Sequence, residues 1–372
     1  MRIETIAVHA GADRDPVSRS VAPPLHLSTN YELGPGSEKV GGHIYIRYSN
    51  PTQDRLEAAL AALEGGEASM VFSSGVAGGA AVLQAMPAGS HVIFPDDVYY
   101  QFFQMASEYL PRWGLESSIV DMTDPGAVRC AVRANTRLVW AETPSNPLLK
   151  IVDLAAVSRI AREAGALALV DNTFATPILQ RPIELGFDLV LHSTTKYMGG
   201  HGDVQGGAVV FARRDATLDA ARHIRDVQGS VASPFNSWLV LRGLRSLPCR
   251  LERQSANAMA VAEFLETHPA VEAVHYPGLA GHPGHDVARR QMRSFGGMLS
   301  LLVREGREKA IAATVRTKLF VNATSLGGPE SLIEHRASSE GPQSTTPQNL
   351  LRLSVGLESP DDLIEDLSQA LS

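Results

Sequence analysis

The sequence predicts an α/β fold, with a mainly parallel sheet covered by helices on both faces and a smaller C-terminal α+β domain behind it. Three observations carry that expectation. Short, largely apolar runs at Ala68–Phe72, His91–Phe94, Ser118–Val120, Leu138–Ala141, Leu167–Val170 and Leu189–Leu191 alternate with helix-like segments such as Val76–Met86, Phe102–Trp113 and Leu154–Ala164. Strands apolar throughout and joined by helical crossovers belong to parallel sheets buried on both faces. The pattern then changes after about residue 232, and 372 residues exceed one ordinary core. The expected organisation is an N-terminal arm over residues 1–50, an α/β domain over 51–232 and an α+β domain over 233–372.

Residues 1–50 are rich in Gly, Pro and Ser and weakly periodic, so they read as an extended arm. From Asn50 the pattern tightens. Thr52 is expected to cap a helix whose apolar positions Leu56, Ala59, Leu60 and Leu63 share one face, with Gly65 as its stop. Gly206–Ala212 reads as a further strand of the large sheet. A long helical region is expected over Ser237–Thr267. Strand candidates follow at Gly297–Val303 and Leu350–Val355, with a helix near Arg307–Arg316 between them.

Composition excludes several classes. The chain is 44% apolar and 20% charged with a net charge of −7, so it offers no basic field for nucleic acid or an anionic membrane. No apolar run approaches the roughly 20 residues that span a bilayer. The start MRIETIAVHAGADRDP has no apolar signal region. Two cysteines, Cys130 and Cys249, lack metal-type spacing and argue for a reducing compartment. A cytoplasmic protein without a bound metal is expected.

In parallel α/β sheets, ligands bind beyond the carboxyl ends of the strands. Four polar clusters fall there. Ser73–Gly79 follows the strand ending at Phe72; its small residues and the next helix's N-terminus suit a phosphate, although a Gly-Ala helix packed tightly on a sheet looks the same. Glu142–Pro147 follows Leu138–Ala141, and Asn146 there is either a ligand contact or part of a Pro-bounded turn. Asp171 follows five apolar residues; it caps a helix, binds a metal or faces a cation. The fourth cluster, His192-Ser193-Thr194-Thr195-Lys196-Tyr197-Met198-Gly199-Gly200, places one lysine among hydroxyls and glycines. A Schiff-base lysine, hydroxyls for a phosphate and an Asp for a pyridinium nitrogen are what pyridoxal 5'-phosphate (PLP) requires. Partial desolvation and cationic surroundings would lower the pKa of Lys196 and make it nucleophilic. Tyr99, in Asp96-Asp97-Val98-Tyr99-Tyr100, either stacks on an aromatic ring or packs in the core. Arg352 interrupts an apolar strand, and a buried arginine needs a partner such as a substrate carboxylate.

Together these segments resemble the Cys/Met-metabolism family of PLP enzymes, which includes cystathionine γ-synthases, cystathionine γ-lyases and methionine γ-lyases. The resemblance covers nearly the whole chain. It runs through Thr5–Gly11, Tyr45–Thr52, Phe72–Gly75, Asp171–Phe174, the Lys196 segment, Ser325–Gly328 and Arg352–Gly356. It implies a fold-type-I PLP-dependent transferase or lyase, self-associated as a homotetramer of two tight dimers. It further implies Lys196 as the Schiff-base lysine, Asp171 on the pyridine nitrogen and Asn146 near the ring hydroxyl. Gly75, Val76, Ser193 and Thr195 would hold the phosphate, and Tyr99 would stack on the ring and serve in acid–base work. Tyr45 and Arg47 would reach the phosphate of the neighbouring subunit. Arg352 would grip the substrate α-carboxylate, with Ser325 beside it.

Three departures from the family pattern bear on substrate. Gly-Gly-Thr or Gly-Cys-Thr often follows the tyrosine, whereas this chain has Tyr100-Gln101-Phe102. Cystathionine-handling members commonly place Glu before the serine, where this chain has Thr324. The loop His335–Pro342 lacks the usual Pro-Ala-x-Met-Thr-His type segment, leaving Arg336 and Glu340 to meet a distal group. The expectation is γ-elimination or γ-replacement on a homoserine-type or sulfur-containing amino acid whose distal part is not cystathionine's. The alternatives are a cystathionine γ-lyase or γ-synthase proper, a β-lyase of the same family, or a catalytically silent binding protein of the same fold.

Overall fold

The computed structural model describes residues 1–341 and 344–372. The N-terminal arm carries one short helix, α1 (Ile3–His9), before α2 (Pro51–Glu64). Asn50, not Thr52, caps α2: its side chain accepts the Thr52 N–H at 2.8 Å. The reason is Pro51, which has no N–H to give and suits the first helical position, moving the start two residues earlier than a Thr52 cap would set it. Thr52 is buried instead, and its hydroxyl oxygen accepts the His26 N–H. Gly65 ends the helix at φ 79°, a left-handed stop.

The large sheet contains β1 (Ala68–Phe72), β2 (His91–Pro95), β3 (Glu116–Val120), β4 (Thr136–Glu142), β5 (Leu167–Asp171), β6 (Leu189–His192) and β7 (Gly207–Phe211). Their spatial order is β1-β7-β6-β5-β4-β2-β3. All neighbours run parallel except β7, which is antiparallel to both β1 and β6. β3 lies at the edge and is half exposed, while β1, β2, β6 and β7 are buried throughout, as their composition requires. Alternate side chains of these strands serve two cores. One face packs Val71, Val170 and Val190 against Leu60 and Leu63 of α2. The other packs Phe72, Trp140 and Leu191 with Phe102 and with Val82 of α3 (Gly75–Gln84).

Two expected helices are broken. The segment 102–113 divides into a short helix Tyr100–Gln104, a wider turn Met105–Tyr109 and a tight turn Pro111–Trp113, because Pro111 lacks an N–H and Gly114 turns left-handed at φ 72°. The stretch 237–267 is two helices, Pro234–Leu244 and Leu247–Glu266. Pro248 is tolerated only in a first turn, so the chain restarts there.

The second sheet contains β8 (Val271–His275), β9 (Met298–Val303), β10 (Val321–Asn322), β11 (Leu332–Glu334) and β12 (Leu350–Ser354), ordered β10-β11-β12-β9-β8. β9 and β12 match the two expected strands, and the helix Arg307–Arg316 falls where periodicity placed it. The other three strands are short or half exposed and carry no apolar run to betray them. The helix Leu247–Glu266 joins the two parts: Leu247 and Leu251 enter the α2-side core, and Val261 and Leu265 enter the core of the second sheet. A domain boundary at 232 remains our proposal.

Candidate active site

The carboxyl ends of β1, β2, β4, β5 and β6 open into one cavity of about 420 Å³. Gly75, Val76, Tyr99, Gln101, Asn146, Asp171, Ser193, Thr195, Lys196, Thr324, Ser325, Arg336 and Arg352 all line it. The residues from Gly75 to Lys196 follow strands of the large sheet that run the same way and so emerge at one end of it, while Thr324, Ser325, Arg336 and Arg352 come from the second sheet and its loops. Tyr45 and Arg47 are the exceptions. Arg47 lies over the Tyr48 ring at 4.8 Å and donates to the Asp226 carbonyl at 2.7 Å, and Tyr45 is 39% exposed; neither lines the cavity of its own chain.

At one end α3 begins. Ser74 caps it by accepting the Ala77 N–H, and Gly75 and Val76 stand in its first turn, where N–H groups have no intrahelical partner. Gly75 packs closely on Ser193: a Cβ there would sit 3.1 Å from Ser193 Cα, so any side chain would push the two segments apart. The Ser193 N–H donates to Thr173 Oγ1 at 2.8 Å. The Thr195 hydroxyl is engaged by the start of β7, accepting from Gly206 N at 3.0 Å and donating to Gly206 O at 3.2 Å. This end is a helix N-terminus with small residues and a neighbouring serine hydroxyl, the arrangement that suits a phosphate. Below it, His192 is buried against Glu64 of α2 at 2.6 Å.

Lys196 Nζ donates to Ser325 Oγ at 2.8 Å. Burial first, then the Arg352 charge, hold its pKa down to about 8, so roughly a tenth is free amine at pH 7, far more than an ordinary lysine offers. Asp171 is half-buried at the cavity wall, and desolvation pushes its carboxyl up; Thr173 donors and His192 act against this. No arginine or lysine figures among the groups acting on it. A half-buried carboxylate with no arginine or lysine partner suits a protonated ring nitrogen. The phosphate cradle, this carboxylate and a depressed lysine amine together fit PLP.

Arg352 was expected to need a carboxylate, and the protein supplies one. Glu334, its register partner on β11, is ion-paired with it, while Arg352 Nη1 donates to Asn146 Oδ1 and Nη2 to the Ser325 carbonyl, both at 3.0 Å. Ser325 adopts φ +80°, an unusual left-handed conformation for a side-chain-bearing residue, and is gripped by Lys196 on its hydroxyl and Arg352 on its carbonyl. Arg336 opens a single helical turn, Arg336–Glu340, where a loop was expected; Pro342 lies outside the described residues. Its guanidinium spans Glu334 at 3.3 Å and Glu340 at 2.7 Å, and the second Glu340 oxygen accepts from Ser344 and Thr346. The Tyr99 phenol is pushed up by burial, with Arg336 and Arg352 opposing.

Sequence reasoning missed Glu142, Thr173 and Glu334 as site residues. Glu142 was visible at a strand end beside Asn146. Glu334 lies on a three-residue strand that no periodicity reveals.

This fold and cavity define a PLP-dependent enzyme of fold type I. The chain belongs to the Cys/Met metabolism PLP-dependent enzyme family, whose model matches residues 4–372. It is 47% identical to a cystathionine γ-synthase of Mycobacterium leprae over 377 residues, covering 100% of this chain and 97% of that protein. It is 43% identical to a cystathionine β-lyase of Coxiella burnetii, covering 99% and 97%. The crystal structure of a Xanthomonas oryzae pv. oryzae cystathionine γ-synthase in complex with cystathionine superposes with a TM-score of 0.95 at 42% identity, covering 100% and 98%. Among the described residues no helix is long and apolar enough to cross a membrane.

Proposed function

We propose that this enzyme carries out γ-elimination or γ-replacement on a homoserine-type or sulfur-containing amino acid whose distal group is not that of cystathionine. One observation carries the substrate reading. At the Gln101–Thr324–Arg336 side of the cavity, Glu334 is paired with both arginines, and Glu340 is satisfied by Arg336, Ser344 and Thr346. A distal ammonium would find no free carboxylate there.

PLP, when bound, supplies an electron sink for charge developing at the substrate Cα. Lys196 would hold it, and its free amine would move the Cα proton. Asp171 would stabilise the protonated ring nitrogen, and Ser193 with the first turn of α3 would hold the phosphate. Arg352, oriented by Asn146 and the Ser325 carbonyl, would take the α-carboxylate. Tyr99, kept protonated by burial, would act as a donor toward the leaving group. Tyr45 and Arg47 would complete the site of a second copy of the chain in a dimer of dimers. The exposed, unpaired Cys130 and Cys249 suit a reducing, cytoplasmic setting.

The test is a panel of γ-substituted amino acids, with and without cysteine as acceptor, read by 2-oxo acid release and by replacement product. Turnover of acylated or phosphorylated homoserine or of short thioethers above cystathionine is expected. Cystathionine far above every other compound would sink the reading. The second reading, a cystathionine γ-synthase proper, is favoured by the full-length identity to such enzymes; cystathionine formation from cysteine as the dominant product would establish it.

A further inference from the structure

We propose that Glu142 is a positioning residue of the cofactor site, a neutral carboxylic acid that holds Tyr99 by its main chain and leaves Asp171 the single carboxylate charge at that end of the cavity. Glu142 ends β4 and Asp171 ends β5, and the two are register partners. Their side chains therefore leave the sheet on the same face, about 5 Å apart at the backbone. Both line the cavity. The Tyr99 N–H donates to Glu142 Oε2 at 2.8 Å, so the segment carrying the tyrosine hangs on this carboxyl.

Two carboxyl groups at this spacing, Glu142 buried and Asp171 half-buried, do not both ionise at modest cost. Their surroundings decide which one does. Asp171 is held by Thr173 through both its main chain and its hydroxyl, and faces the His192 charge. Glu142 receives the single Tyr99 donor, lies fully buried and has Asp97 as a second like-charged neighbour. The one cation acting on it, Arg336, already serves Glu334 and Glu340. Burial and Asp171 together hold the Glu142 carboxyl well above the usual range. Neutral, it still accepts the Tyr99 N–H, and the protonated ring nitrogen finds its charge partner in Asp171 alone.

The inference rests on the proposed seating of PLP between Tyr99 and Asp171, and the experiment separates the two. Apoprotein is titrated with PLP, and the absorption band of the bound cofactor is followed against pH, for wild type, Glu142→Gln and Glu142→Ala. The Gln variant keeps the acceptor and the neutral charge, so it should bind PLP within about twofold of wild type and titrate alike. The Ala variant releases Tyr99 and should bind roughly tenfold more weakly, the effect of one lost buried hydrogen bond, with a displaced pH midpoint. A Gln variant as weak as Ala overturns the proposal, because charge would then be the requirement. An Ala variant equal to wild type also overturns it. Should the Ala variant not fold, the Gln affinity and pH midpoint decide alone. Failure of borohydride to fix PLP on Lys196 of the wild type would instead reject the seating.

Discussion

Lys196 concentrates the chemistry at the scale of single residues. Its pKa of about 8 lies below its ordinary 10.5. Between those values the unfolded chain binds more protons than the folded one, so stability rises with pH across that window, and the penalty is fully present below it. The penalty is about 3 kcal/mol at most. Apoprotein Lys196→Met should therefore be more stable than wild type near pH 7, and the difference should shrink as pH rises from 8 to 10.5; urea melts of the two proteins at several pH values check this. Arg352 makes a second case. Arg352→Gln leaves Glu334 buried with only its longer Arg336 pair at 3.3 Å, a cost below the roughly 3–5 kcal/mol of stripping a buried charge of every partner. Adding Glu334→Gln should recover much of the stability measured in urea but none of the affinity for an amino-acid substrate, if Arg352 takes its carboxylate. The residues carrying these arguments differed in legibility. Lys196 and Asp171 stood out because a lysine among small hydroxyl residues and an acid after five apolar residues are rare. Glu334 did not, since its meaning lies in facing Arg352 across a strand pair.

Among the elements, the contact between the start of β7 and the start of α3 is the most demanding. A Cβ on Gly207 would sit 2.1 Å from the Ser74 carbonyl oxygen and 2.4 Å from Gly75 N. Backbone on both sides cannot move without shifting the first turn of α3. Gly207→Ala should cost at least 1–3 kcal/mol in thermal or urea unfolding and weaken PLP binding further than that loss of stability alone would. The strands of the large sheet other than the edge strand β3 were legible because burial on both faces forces a largely apolar run. The helices were less so: Pro111 and Pro248 cut two of them, and in each case the periodic pattern continued through the break. The Asn50 cap was hidden for the same reason, with proline chemistry deciding a boundary that apolar spacing cannot see.

For the whole molecule, Tyr45 and Arg47 are the informative pair. They lie on an arm with many exposed apolar side chains, including Val17 at 91% and Val21 at 71%. If they complete the site of a second copy, Lys196→Ala and Arg47→Ala chains damage different halves of one shared site. Mixed oligomers then contain one intact site in each hybrid pair, and refolding the two inactive variants together should restore roughly a quarter of wild-type activity, as random pairing in a twofold dimer requires. No recovery, with mixed oligomers verified by mass, would place each site within one chain.

The sequence by itself determined the α/β class, the cofactor chemistry and the family, because a doubly buried sheet and a PLP site each demand residue types that leave a local signature. Tertiary structure decided what depends on residues far apart in the chain. It paired Arg352 with Glu334, closed Arg336 between two glutamates, set Glu142 beside Asp171, and left Tyr45 and Arg47 outside their own cavity. Charge compensation is a property of distance in space, so only the folded chain says which charges are already spent inside the protein and which remain to meet a ligand.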